Sequence, residues 1–308
     1  MAVTADELLT GIKSRIVYPS SQPLFNDTNV LKFADDSIKS KLVPLLKSVN
    51  QDYFVRTSRT ALVPQQRFYK IPYRALGRTL RDLKLVDSGG NRRDMSLIAL
   101  EDEHMFRAGS LPEGFFFKGD EIGIVPTPIV DDYALEFWWE LPPGKLTQVA
   151  NCGTVVSFTT TDVTVQSAPS DIAIGNKVDF IAGESGCSTL SFDAVVQNLA
   201  AATYTFSVDV IPEDLQQGDY VAPALYAPVI QLPDECYPFL ETCLATRILK
   251  SLSDFEGARE LEEQRKEEEK DLLKMLEPRI TGENTVIINR KGVLRGFRGR
   301  FLTSRYFY

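Results

Sequence analysis

The chain has 308 residues and a formal net charge of −8, with 44% hydrophobic and 25% charged residues. This composition excludes wholesale disorder, a collagen-like chain and a disulfide-stapled miniprotein. The negative charge argues against binding nucleic acid through bulk electrostatics, and the single histidine excludes a multi-histidine metal site. At about 150 residues per domain, the length predicts two domains.

The N-terminal part of the chain predicts helices. Thr4 and Glu7 have the spacing of a capping box, and apolar residues follow at helical spacing. A second helix is predicted to begin near residues 26–28 and to run to Val49, with a kink or restart at Pro44. The first residues lack a basic start followed by an apolar core, so they do not predict a secretory signal.

The middle of the chain predicts β-structure. Strands are predicted at residues 54–55, 68–71, 80–86, 95–100, 114–117, 122–125, 135–139, 155–158, 163–165, 177–181, 190–196, 204–208 and 219–222. Turn sequences at 87–91 and 118–120 lie between successive strands. The sequence Pro-Pro-Gly at 142–144 predicts a module boundary. The short, regularly spaced strands that follow it predict a small barrel or sandwich.

The helical pattern returns near residue 233. Asp234 can cap one helix, and Ser253 or Asp254 can cap a second helix that ends before Pro278. The predicted fold class is therefore α+β, a helical bundle body with a large β-rich insertion and an extended C-terminal arm. The predicted modules are a helical body at 1–52 and 233–280, a β-rich module at 53–144, a barrel or sandwich at 145–232, and a basic-aromatic arm at 281–308.

Motifs of enzyme chemistry are missing from the sequence. It contains no dinucleotide-binding glycine motif, no phosphate-binding P-loop and no nucleophile elbow. His104 follows three acidic residues within one turn or loop, which is typical of a partly exposed loop histidine. The sequence therefore predicts no catalytic residues, no metal and no cofactor, and a protein that is not an enzyme.

Two further residue sets have structural interpretations. The four cysteines, Cys152, Cys187, Cys236 and Cys243, form no C-x-x-C pair and are predicted to be free thiols in a reducing compartment. Trp138 and Trp139 would point to opposite faces of a strand, which places one in the core and the other at an interface or rim.

A run of charged and polar residues at 262–271 contains no apolar residue. It is either the solvated face of a long helix or a strut that contacts a neighbouring subunit through charge complementarity. The predicted strut residues are Glu262, Glu263, Arg265, Lys266 and Glu267.

The C-terminal segment is the strongest interaction signal. From Pro278 onward there are seven basic residues and one acidic residue, a net charge of +6, so the rest of the chain sums to −14. Interleaved arginines and aromatic residues favour a protein-docking peptide, because these types dominate binding hot spots. The alternatives are contact with nucleic acid and an unbound solubilising tail. The predicted docking residues are Arg290, Lys291, Arg295, Phe297, Arg298, Arg300, Phe301, Arg305, Tyr306, Phe307 and Tyr308.

Several short sequences carry a family resemblance. They are PLFND at 23–27, LKFADD at 31–36, LVPLL at 42–46, IPYRALG at 71–77, LRD at 80–82, GDYV at 218–221, LPDE at 232–235, ATRIL at 245–249 and FEGA at 255–258. With the order of the modules, they make the chain resemble a tailed-bacteriophage structural protein, and more narrowly a head-to-tail adaptor, also called a connector or neck ring protein. The large β-rich portion departs from the simplest all-helical adaptors.

The resemblance implies a virion structural protein at the head-tail junction, present in the host cytoplasm during assembly. Such adaptors form a ring of twelve copies beneath the portal protein, extend the DNA channel and present a platform to a downstream tail or neck protein. DNA passes through the channel without specific binding, and no membrane is involved. By this resemblance residues 281–308 would dock on the portal.

Three other functions remain open from the sequence. One is a different neck, tail-side or minor capsid structural protein. Another is a virion enzyme that degrades cell walls, with a glycan site in the β-rich middle. The last is a nucleic-acid-binding protein that acts through its basic tail.

Overall fold

The computed structural model of the chain describes residues 3–16, 25–101, 111–167, 172–184, 188–200 and 204–276. The predicted docking residues, His104 and Cys187 lie outside these ranges. Helices and β-sheets are both present, which confirms the predicted α+β class. The helices are α1 (Ala5–Arg15), α2 (Asp27–Ser37), a π-helical turn (Ile38–Leu42), α3 (Val43–Val49), α4 (Tyr237–Ser251) and α5 (Phe255–Met275).

The first helix begins at the predicted capping box. The Thr4 hydroxyl accepts a hydrogen bond from the Glu7 N–H at 3.2 Å, and the Glu7 carboxylate accepts one from the Thr4 N–H at 2.8 Å. The start of α1 is also tied to a segment distant in sequence, because the Ala5 N–H donates to the Pro228 carbonyl at 2.8 Å. The start of α1 is thus fixed both locally and by a long-range contact.

A π-helical turn joins α2 to α3. Asn26 caps α2 with its side chain, which accepts from the Asn29 N–H at 2.8 Å. Pro44 is the second residue of α3 and has no N–H to donate to the preceding turn. The α-helical hydrogen-bond pattern resumes at Val43, and the backbone stays helical from α2 through the π-helical turn into α3, so the predicted kink or restart at Pro44 is a change of helix type just before it. Such π-helical turns occur often at functional sites.

The two C-terminal helices form an antiparallel-type hairpin with a tight connection. Asp254, one of the two predicted caps, accepts from the Gly257 N–H at 3.0 Å and begins α5. Ser253, just before it, has a φ of 62°, in the left-handed region that lets the chain reverse. The helical core draws on both ends of the chain, since Leu8, Leu42 and Leu240 are buried in one cluster.

Between α3 and α4 the described residues form sixteen strands. They are β1 (Val55–Ala61), β2 (Phe68–Lys70), β3 (Leu80–Asp87), β4 (Arg92–Asp94), β5 (Ser96–Leu97), β6 (Gly114–Lys118), β7 (Glu121–Val125), β8 (Tyr133–Glu140), β9 (Lys145–Leu146), β10 (Gly153–Phe158), β11 (Asp162–Val165), β12 (Lys177–Ile181), β13 (Thr189–Ala200), β14 (Thr205–Val208), β15 (Tyr220–Pro223) and β16 (Tyr226–Ala227). Three short 3₁₀ turns also occur among the described residues.

The first eight strands form two four-stranded sheets around one core. Their strand orders are β1-β8-β3-β4 and β2-β7-β6-β5. Leu83, Phe137 and Trp139 of the first sheet are buried in the same cluster as Phe115 and Ile122 of the second. This cluster is separate from the helical core and gives the β-rich region a hydrophobic core of its own.

Strands β10 to β15 form a closed antiparallel barrel in the order β10-β11-β14-β13-β12-β15. The sequence predicted a barrel or a sandwich here, and the structure is the barrel. Its interior is filled by residues such as Val163, Phe180, Val196 and Phe206. Closure pairs every strand with two neighbours, so the barrel has no free sheet edge.

A two-stranded parallel ribbon connects the barrel to the helices. In it β9 pairs with β16, so that Lys145 lies opposite Tyr226. The other edge of β9 meets α2, where the buried Asp35 carboxylate accepts a hydrogen bond from the Leu146 N–H at 2.8 Å. A side chain of the helical body therefore occupies the place of a further strand.

Two strand predictions were wrong in extent. The strand predicted at 95–100 is reduced to β5, and β4, which precedes it, was not predicted. The strand predicted at 54–55 continues as β1 to Ala61. All three residues of β4 are polar and exposed, and five of the seven residues of β1 are polar, so neither strand has the apolar alternation that marks a half-buried strand.

Candidate functional site

The predicted strut lies on α5, and its five residues separate into two groups. Glu262 and Arg265 are half-buried and make ion pairs within the chain. The Lys250 Nζ lies 3.0 Å from a Glu262 oxygen, and the Arg265 guanidinium lies 4.0 Å from Glu262 and 3.9 Å from Glu269. The Lys250–Glu262 pair links α4 to α5, whereas both ion pairs of Arg265 lie within α5.

The other three strut residues, Glu263, Lys266 and Glu267, are exposed. Glu263 and Glu267 belong to a longer row that we call the acidic stripe, consisting of Glu256, Glu260, Glu263 and Glu267. The spacing of three and four residues places these four carboxylates on one face of the helix. The acidic stripe is therefore the part of the predicted strut that is available to another molecule.

A cavity of about 390 Å³ lies beside the π-helical turn, between α2, α4 and α5. We call it the π-turn pocket. Its lining residues are Ser37, Ser40, Lys41, Cys243, Thr246, Arg247, Lys250, Ser251, Glu262 and Arg265. Four of these side chains are cationic, one is anionic and four carry hydroxyl groups. The pocket includes two of the five predicted strut residues, but the sequence did not predict the pocket itself.

The described cysteines are buried free thiols, which confirms the prediction for Cys152, Cys236 and Cys243. Burial raises the pKa of Cys152 and of Cys236 to about 12. Burial also raises the pKa of Cys243, although the Lys41 Nζ lies 3.6 Å from its sulfur and opposes the shift. Because the thiolate is the nucleophilic form, these thiols are unsuited to nucleophilic catalysis near neutral pH.

A buried ionic cluster joins the first β-rich region to the barrel. Arg74, which precedes β3, makes two hydrogen bonds to the Asp179 carboxylate on β12, at 2.7 and 2.9 Å. The same guanidinium bonds to Asp193 on β13 at 2.7 Å, and the Tyr73 hydroxyl donates to that carboxylate as well. Asp193 has a φ of 62°, in the left-handed region. The arrangement is a bidentate clamp between two separate cores.

A second ionic cluster lies on the outer face of the sheet that contains β8. The Glu136 carboxylate is almost fully buried and accepts hydrogen bonds from Arg92 at 2.7 Å, Arg59 at 3.0 Å and the Trp138 indole at 3.2 Å. The hydrogen bond from Arg92 is the main reason that the pKa of Glu136 falls to about 2. Trp139 is fully buried and Trp138 is half-buried, which confirms that the pair divides between core and rim.

Neither cluster has the form of a catalytic site. In both, arginine donors occupy the carboxylates, and the lowered pKa of Glu136 keeps that group from exchanging a proton near neutral pH. Within the described ranges, no group of three or more His, Cys, Asp or Glu side chains is placed to hold a metal ion. No helix in the same ranges is long and apolar enough to cross a membrane.

Sequence reasoning missed the residues that join distant segments. Arg74 lies within a segment that carries the family resemblance, but its partners stand more than 100 residues away. Lys41, Arg247 and Arg265 likewise meet only after folding. The one local signal for the π-turn pocket was Pro44, which predicted a break in the helix at that point.

Comparison with protein-family models and with curated proteins found no match to this chain. The functional interpretation therefore depends on the residues and their arrangement.

Proposed function

We propose that this protein is a structural component of a bacteriophage virion, a head-to-tail adaptor that assembles as a ring beneath the portal. The observation that carries the proposal is the construction of the helical body from both ends of the chain, with two β-rich modules inserted between α3 and α4. That order of parts is one of the features by which the chain resembles an adaptor. Helix α5 then leads directly into the basic-aromatic segment.

The charge distribution supports a passive channel and a separate docking arm. Residues 145–232, which contain the barrel, hold nine acidic and two basic residues, a net charge of −7. A negative surface repels the DNA backbone, so DNA could slide past it without sticking. The segment after residue 277 instead has a surplus of cationic residues interleaved with aromatic ones, which suits a groove on a protein partner.

The buried ionic clamp at Arg74 suits a part that transmits mechanical load. It fixes the barrel to the neighbouring β-rich region with charge-assisted bonds in place of a flexible linker. A rigid connection of this kind would keep a tail platform aligned with the ring.

The proposal is tested by mixing the full chain with the portal ring of its source virus and measuring the mass of the complex by size-exclusion chromatography with light scattering. We expect about one copy per portal subunit. A chain ending at Ile280 should not bind, and neither should a full-length variant with Arg295, Arg298 and Arg300 changed to glutamine. A full-length variant with Arg56, Arg81 and Arg93 changed to glutamine is the matched control and should bind normally.

Portal binding that survives both arm changes would contradict the docking role of the arm. A full chain that does not bind the portal at all would contradict the adaptor assignment.

A further inference from the structure

We propose that the π-turn pocket is a binding site for phosphate groups, of a free nucleotide or polyphosphate or of a nucleic-acid backbone. This inference does not depend on the proposed adaptor function. It rests on cationic groups that come together from three helical elements around one cavity. The cavity volume of about 390 Å³ falls in the range of small-molecule pockets, roughly 300–1,000 Å³.

The balance of charge in the π-turn pocket favours an anion. Lys41, Arg247, Lys250 and Arg265 line it, and Glu262 is the one carboxylate among the lining residues. Glu262 is shared between Lys250 at 3.0 Å and Arg265 at 4.0 Å, and Arg265 has a second carboxylate partner, Glu269, at 3.9 Å. Arg247 is paired outside the lining with Asp36, at 3.0 Å.

Lys41 is the cation with most to gain from a ligand. Lys41 is exposed, its ammonium donates to the neutral Cys243 thiol at 3.6 Å, and no described carboxylate forms an ion pair with it. The neighbouring residues Lys39 and Ser40 share the same π-helical turn, but Lys39 lines other cavities. An anion placed beside Lys41 would provide the charged partner that the folded chain does not supply.

The hydroxyl groups extend the donor set. Ser40 donates to the Asp36 carbonyl at 2.6 Å, and Ser251 donates to the Arg247 carbonyl at 3.0 Å, each one turn back along its own helix. A hydroxyl can rotate to donate to a ligand, because its hydrogen is not fixed in position. Arginine forks, a lysine and hydroxyl donors together match the several acceptor oxygens of a phosphate better than the two of a carboxylate.

The test measures binding of inorganic phosphate, tripolyphosphate, a nucleoside triphosphate and a short DNA duplex to the full chain by isothermal titration calorimetry. Tripolyphosphate should bind, and Lys41→Gln should weaken this binding about tenfold or more, because it removes a charge-assisted hydrogen bond to the ligand. Lys39→Gln removes the same charge from the same turn without altering this pocket, and it should leave the affinity unchanged.

A second pair of variants tests the opposite effect, an increase in the affinity for tripolyphosphate. Glu262→Gln removes the lining carboxylate and should tighten tripolyphosphate binding several-fold, whereas Glu263→Gln, on the exposed face of the same helix, should not. Preferential binding of the nucleoside triphosphate identifies a free nucleotide as the source. Duplex binding that is lost in Lys41→Gln identifies a nucleic-acid backbone.

Two results would overturn the proposal. One is the absence of binding by every phosphate compound. The other is an equal loss of affinity in Lys41→Gln and Lys39→Gln, because binding would then follow general surface charge, including that of the basic C-terminal segment. Thermal melting of each variant in phosphate-free buffer separates loss of binding from loss of folding.

Discussion

Arg74 places a full positive charge between two hydrophobic cores, and its stabilising effect depends on its partners. The Arg74 and Asp179 side chains are each about 5% exposed, and the pair is bidentate. Asp179 also accepts the N–H groups of Asp193 and Leu225, both at 3.0 Å. Removing one partner of such a buried pair leaves an uncompensated charge away from water.

We therefore expect Asp179→Ala to lower the free energy of unfolding by about 3–5 kcal/mol. Lys13→Ala removes an exposed ion pair with Asp27 and is the control, with an expected loss within about 1 kcal/mol. Urea denaturation followed by circular dichroism measures both changes. Similar losses in the two variants would show that the clamp contributes no more than a surface pair.

Asp35 is a buried acid whose pKa is shifted mainly by burial and not by an ion pair. Burial raises its pKa to about 6, while the hydrogen bond from Leu146 and the charges of Lys39 and Lys145 oppose the shift. The folded state thus binds a proton more tightly than the unfolded chain, in which an aspartate titrates near ~4. Protonated Asp35 therefore adds to the free energy of unfolding. This contribution is fully present below about pH 4 and is lost as the pH rises through about 6.

The expected result is a free energy of unfolding that falls between about pH 4 and pH 6 because of Asp35, by up to about 3 kcal/mol. Asp35→Asn should remove this slope and stabilise the protein at pH 7, since the amide can still accept from the Leu146 N–H. Asp36→Asn, at the exposed neighbouring position, should keep the slope. Chemical denaturation at a series of pH values measures the dependence of the free energy of unfolding on pH. Equal slopes in both variants would contradict the role given to Asp35.

At the scale of elements, the α4–α5 connection depends on two adjacent residues. One needs a side chain that caps α5, and the other needs a left-handed backbone conformation. Asp254 caps α5, and Ser253 adopts a φ of 62° that favours glycine. We expect Asp254→Ala to destabilise the protein by about 1 kcal/mol and Ser253→Gly to stabilise it by up to about 1 kcal/mol. Thermal denaturation gives both values, and a stabilising effect of Asp254→Ala would rule out the cap.

Local patterns predicted the elements whose burial alternates or repeats regularly. β12 lies at the predicted residues 177–181, and α1 begins at the predicted capping box, because each has a strong short-range signal. β9 and β16 are two residues long and follow from long-range pairing, which no local pattern contains. The choice between barrel and sandwich depends on whether β10 meets β15, a contact made across more than 60 residues.

The candidate sites also have parts that local sequence predicts and parts that depend on long-range contacts. The strut was predicted because its charges are consecutive on one helix, but the sequence could not separate Glu262 and Arg265, which face α4, from Glu263 and Glu267, which face outward. That division depends on the rotation of α5 about its axis. The π-turn pocket and the Arg74 clamp require side chains from segments that only the folded chain brings together.

For the whole molecule, the acidic stripe on α5 is the described surface that best fits the predicted contact between copies. If this face meets a neighbouring subunit, reversing one charge replaces attraction with repulsion across the interface. We expect Glu263→Lys to raise the protein concentration needed for oligomer formation about tenfold or more, as measured by mass photometry or light scattering.

Glu113→Lys makes the same charge change at an exposed residue beside β6 and is the control for that experiment. It should assemble like the unmodified chain. Equal assembly of Glu263→Lys and the unmodified chain would show that the acidic stripe faces solvent in the oligomer.

The helical body has one more consequence, which concerns synthesis on the ribosome. Helices α1 to α3 emerge first, but the core that they share with α4 cannot close until residues 237–251 have left the exit tunnel. Both β-rich regions lie between α3 and α4 and have cores of their own. They can therefore fold before α4 is available to pack against the N-terminal helices. A nascent chain, or one that ends before α4, therefore exposes the apolar faces of α1 to α3. Only a chain that includes α4 can close this core, so a chain that ends before α4 would lack the finished helical body.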